Sequence, residues 1–128
     1  MWLTRILNNN PFHRRHKMTS IPLFRPSGSN WCFRIINADT GYVWDRTAND
    51  NAGGLVATPT ATNTSIVATY NANRVSYDMA LPATLPSGRY HIVFYNVAYD
   101  AYATTDSAEG GYLITTVGNV LQGDPVVL

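Results

Sequence analysis

The sequence predicts an all-β fold, a single antiparallel sandwich of about seven strands. Three observations predict it. Strand and turn formers (Val, Tyr, Thr, Asn, Gly) dominate, while good helix formers are scarce. Past residue 27, apolar and polar side chains alternate with period two in short runs. Turn chemistry separates those runs at the roughly 8–12-residue spacing typical of sandwiches and barrels. The chain has 128 residues, 45% of them apolar, which suits one domain with a real core.

Each element follows from its residues in turn. At the start, "MWLTRIL" suits one or two amphipathic helical turns, which "NNNP" would stop. "FHRRHK" is a basic cluster, and Met18 offers a second start, which would make the first 17 residues an optional extension. Pro22 and Pro26 keep "IPLF" extended, as an edge strand or as part of an arm. From Trp31 to Ile36 the alternation reads as a strand, and "NADTG" turns it. "YVWD" is a second strand with Tyr42 and Trp44 on one face, followed by the polar loop "RTANDNAGG". "LVATPTATN" is weakly extended and interrupted by Pro59; "SIVATY" is a short strand. "RVSYDMAL" places Val75, Tyr77, Met79 and Leu81 on one face. After the connection "PATLPSG", "RYHIVFYNV" turns Tyr90, Ile92 and Phe94 inward. A tyrosine-bearing loop leads to the strong strand "YLITTV" and an edge tail, "LQGDPVVL".

Charge divides the chain. Residues 1–26 carry Arg5, Arg14, Arg15, Lys17 and Arg25 with no acid, so +5. Residues 27–128 carry four arginines against eight acids, so −4. The expected organisation is therefore a basic N-terminal arm, 1–26, on an acidic sandwich domain, 27–128. Such an arm suits docking along a neighbouring protein subunit, with Trp2, Leu3 and Ile6 buried and Arg5, Arg14, Arg15 and Lys17 steering. Nucleic acid fits less well, because the body is acidic and shows no aromatic-basic groove. With one cysteine, Cys32, no internal disulfide forms. No apolar run reaches the roughly 18 residues of a membrane helix.

"LPSGRY" running into "HIVFY" resembles the entry to strand F of immunoglobulin-like and fibronectin-III-like sandwiches. The resemblance implies an immunoglobulin-like fold in which the Tyr90 hydroxyl returns to backbone a few residues upstream. The cysteine pair bracketing a Trp in antibody domains is missing. In composition the chain is similar to small sandwich modules of tailed-phage virions: decoration, neck and tail-attachment components. It shares their low Lys, high Thr, Asn and Ala, single Cys and basic arm. That similarity implies a virion structural or accessory protein, assembled in the host cytoplasm.

Chemical motifs are sparse. His13 and His16 lack a third metal ligand nearby, and "DRTANDN" lacks the Gly and terminal Glu of a calcium loop. The loop acids read as turn formers, and nothing in the spacing joins Ser76, Asp78 and His91 into a triad. No catalytic, cofactor or metal site is expected, and the chain reads as a non-enzymatic binder. Its ligand-facing candidates are Tyr99, Asp100 and Tyr102 in the loop after "RYHIVFYNV", joined by Trp44 if that ring faces outward. Loop tyrosines give large, rigid contact area at low entropic cost. The alternative expectation is thus a carbohydrate-binding or adhesin module, extracellular or on a cell surface.

Overall fold

The computed structural model describes residues 17–96 and 108–128. They form eleven strands: β1 (Ser20–Leu23), β2 (Cys32–Asn37), β3 (Val43–Asp45), β4 (Gly54–Val56), β5 (Ile66–Val67), β6 (Thr69–Asn71), β7 (Ser76–Ala80), β8 (Gly88–Tyr95), β9 (Gly110–Val117), β10 (Val120–Leu121) and β11 (Val126–Val127). A three-stranded sheet has the order β1-β7-β6. The large sheet has the order β10-β9-β8-β2-β3-β4, with β5 on β2 and β11 on β9, and curls into a half-barrel. Every pairing described is antiparallel.

The period-two runs account for the centre of the large sheet. β8 pairs along its length with β9 on one side and β2 on the other. With both edges satisfied, Tyr90, Ile92 and Phe94 are buried while Arg89 and His91 are exposed; Tyr95, which alternation puts on the opposite face, is buried too. Phe33 sits opposite Phe94 in register, and their rings meet edge-on at 5.5 Å. Phe94 meets Tyr112 in the same way at 5.4 Å. Tyr77, Met79 and Leu81 reach the core from the small sheet.

Polar ties join what the apolar filling brings together. Tyr112 Oη donates to the Pro22 carbonyl from the opposite sheet, 3.2 Å away. Tyr77 Oη donates to Ser29 O at 2.7 Å, and Leu121 N donates to Met18 O at 2.9 Å. Tyr90 Oη donates to Pro86 O at 2.6 Å. Each buried ring thereby keeps its hydroxyl partnered.

Several expectations need correction. The expected arm runs to residue 26, but Ser20–Leu23 pairs with β7 from Ser20↔Ala80 to Leu23↔Tyr77. Ile21 and Leu23 are core residues, so β1 belongs to the folded body. Pro22 is tolerated because β1 is an edge strand. "SIVATY" is two strands. Its chain leaves the large sheet after Val67, passes Ala68 and enters the small sheet at Thr69. Val75 does not point inward. It precedes β7, has φ +52° and is 49% exposed. The "RTANDNAGG" loop contains one turn, Ala48–Asn51, in which Asn49, Asp50 and Asn51 all take positive φ. Asn and Asp tolerate that region better than other side chains.

Candidate functional site

Strand register gathers three connections at one end of the fold. The pair Leu23↔Tyr77 sets the end of β1 beside the start of β7, so the 24–31 and 72–75 connections meet. The pair Cys32↔Tyr95 sets the start of β2 beside the end of β8, so β8 finishes at the same end. β3 runs back along β2 from Ile36↔Val43, so the 46–53 connection arrives there too.

The described surface of this end is aromatic and cationic. Phe24 is 44% exposed, and the Arg74 guanidinium lies 5.7 Å from its ring centre. Arg25 lies 5.7 Å from the ring of Trp31, which is itself buried. Phe24, Arg25, Pro26, Arg74 and Val75 line a hollow of ≈ 240 Å³. Stacking on a ring holds each guanidinium in place while leaving its edge to hydrogen-bond. Arg74 Nη2 is buried with no hydrogen-bond partner. A β-branched residue at positive φ, such as Val75, is strained, and strain of this kind concentrates at working surfaces. Beside this hollow, Arg25 also borders a second one of ≈ 200 Å³ with Glu109 and Tyr112. Burial pushes the Tyr112 phenol up, and the Arg25 charge draws it partly back.

Comparison with protein-family models, curated proteins and solved structures returns no match. The chemistry of the site itself therefore carries the functional reading.

The expected site residues fall in three places. Trp2, Leu3, Arg5, Ile6, Arg14, Arg15, Tyr99, Asp100 and Tyr102 lie outside the described residues. Lys17 is exposed, just ahead of β1. Trp44 does not face outward: it is 3% exposed and stacks on Gly53, where a Cβ would overlap the indole. It fills the core and offers no open platform.

Two further readings are decided by local bonds. Ser76 Oγ donates to Asp78 Oδ1 at 2.7 Å, and Asn71 Nδ2 donates to Asp78 Oδ2 at 3.1 Å. The strand thus joins Ser76 and Asp78, which spacing leaves apart, in a brace between β6 and β7. His91 stands on the other sheet. Asp45 Oδ1 accepts from Thr47 N and Thr47 Oγ1, at 2.8 and 2.7 Å. It closes a turn, as loop acids commonly do. Among the described residues no group of three or more His, Cys, Asp or Glu side chains is placed to hold a metal. Burial raises the Cys32 thiol above its usual pKa, which suppresses thiolate chemistry.

Sequence reasoning misses the cationic-aromatic end. Phe24 and Arg25 fall within the expected arm, and Arg74 and Val75 within a strand. The available signal is the hairpin "NANRV": an Asn-rich turn of this length commonly ends in a left-handed residue. No helix among the described residues is long and apolar enough to cross a membrane.

Proposed function

We propose that the chain is a non-enzymatic binding module built as an immunoglobulin-like sandwich, a structural or accessory virion protein that docks on neighbouring subunits. Strand order supports the fold reading. The runs β4-β3-β2-β8-β9 and β6-β7-β1 follow the order C″-C′-C-F-G and D-E-B of a variable-type sandwich. The Tyr90 to Pro86 bond stands where that fold places its tyrosine corner.

The observation that carries the docking reading is the anchorage of β1. Ser20–Leu23 is zipped onto β7, and Met18 O accepts from Leu121 N of β10. The basic stretch with Arg5, Arg14, Arg15 and Lys17 is thus tethered to a fixed point on the sandwich edge. A cationic tether on an acidic body favours association with an acidic neighbour, weakened by salt. The cationic-aromatic end adds a second contact surface.

The test is amide spectroscopy of the isolated full chain, with a survey of neighbouring genes. The docking reading expects residues 2–17 to lack dispersed signals until a subunit binds. It also expects capsid, portal or tail genes next door. A monomer whose residues 2–17 are already ordered would overturn it. The glycan reading loses Trp44 to the core and rests on Tyr99, Asp100 and Tyr102.

A further inference from the structure

The cleft on the flank of the two sheets arises from how β5 and β6 divide. β5 lies on β2 in the large sheet, and β6 pairs with β7 no further than Thr69↔Asp78. Beyond that pair no strand among the described residues lies along the outer edge of β7. Residues of β5 and of the end of β7 line a cleft there of ≈ 510 Å³. That volume lies within the roughly 300–1,000 Å³ of small-molecule sites, which combine apolar walls with few polar groups.

Its lining has that character. Trp44, Ile66, Leu81 and Pro82 supply apolar wall, and Arg46 and Ser65 supply the polar groups. Ser65 is 2% exposed, and its Oγ has no hydrogen-bond partner. Buried hydroxyls normally have one. Arg46 brings a permanent guanidinium to the lining.

We propose that this cleft binds a small amphipathic carboxylate. Its apolar body lies against Trp44, Ile66, Leu81 and Pro82. One carboxylate oxygen takes a charge-assisted bond from Arg46, and the other accepts from Ser65. An alkyl ammonium of the same length meets the like charge of Arg46 and is rejected. The proposal concerns the flank and stands apart from the docking role of the arm.

The test titrates the full-length chain with sodium decanoate, using decyltrimethylammonium as the opposite-head control and acetate as the head alone. Decanoate is expected to give saturable amide shifts at Ser65–Val67 and at Ala80, Leu81 and Ala83, with the Trp44 indole following. Half-saturation is expected at about 1 mM or below. The ammonium and acetate are expected to bind at least about tenfold more weakly. Arg46→Gln lowers decanoate affinity about tenfold, and Ser65→Ala lowers it about threefold. Ala80→Phe, which fills the cleft from an exposed strand position, abolishes the shifts without relying on removal of a polar group. Equal binding of both heads would overturn the proposal. So would shifts scattered over other surfaces, or saturation unchanged in Ala80→Phe.

Discussion

The hydroxyl of Tyr90 donates to the carbonyl oxygen of Pro86, 2.6 Å away and four residues back. The ring above it is fully buried, so the bond pins the entry of β8 to the turn preceding it. Tyr90→Phe keeps the ring and removes the donor. The hydroxyl also hydrogen-bonds Asn37, so we expect a loss of about 1–2 kcal/mol, read as a lower urea midpoint with unchanged slope. A midpoint equal to wild type would show that the bond does not hold the corner.

Three buried acids set an alkaline limit. Burial is the chief cause that raises the folded pKa values of Cys32, Tyr90 and Tyr112 above the ordinary thiol and phenol ranges. A hydrogen bond with Asn37 partly opposes this at Tyr90. Once pH passes those ordinary ranges, the unfolded chain has lost protons that the native state still holds. The stability these groups contribute is therefore fully present below the ordinary thiol range, about pH 8.5, and falls as pH rises through the thiol and then the phenol range. Thermal midpoints should hold level from about pH 7 to 8.5 and decline beyond. Cys32→Ala should delay the onset of that decline. A midpoint that stays level to about pH 11 would contradict the burial of all three.

How much was legible depended on how fully each strand is paired. In β8, paired on both edges, alternation alone places Tyr90, Ile92 and Phe94 correctly. Short segments obey register instead. "IPLF" and "SIVATY" carry no pattern that says which sheet they join, and the chain switches sheets at Ala68, a residue small enough to be buried at the crossing. Tyr42 and Trp44 share spacing, yet Tyr42 is 44% exposed just ahead of β3 and Trp44 is buried within it. The cationic-aromatic end was illegible for a plainer reason. Phe24 and Arg74 are distant in sequence, and only the β1–β7 pairing brings them together.

Gly53 combines two constraints. Its φ is +89°, and an added Cβ would overlap the Trp44 indole. Gly53→Ala must therefore strain the backbone and displace a core ring together. We expect a loss of about 2 kcal/mol or more, with a red-shifted Trp emission as the indole moves toward water. Gly41, also at positive φ but with open space where a Cβ would stand, isolates the backbone part. Gly41→Ala should cost about 1 kcal/mol and leave the emission unchanged. Equal losses at the two sites would rule out the ring clash.

Val75 runs the opposite way. It closes the β6–β7 hairpin at φ +52°, and 49% exposure leaves its side chain little packing to lose. A left-handed conformation costs an L residue roughly 1–2 kcal/mol, most for a β-branched one, and glycine escapes that cost. The gain is reduced by the freedom glycine adds to the unfolded chain. Val75→Gly should therefore raise stability by about 0.5–1 kcal/mol, and Val75→Asn by slightly less. If the strain is kept for contact with a partner, the stabilised variant should bind subunits more weakly while unfolding at a higher urea concentration. A Val75→Gly chain less stable than wild type would mean that the valine side chain contributes packing its exposure conceals.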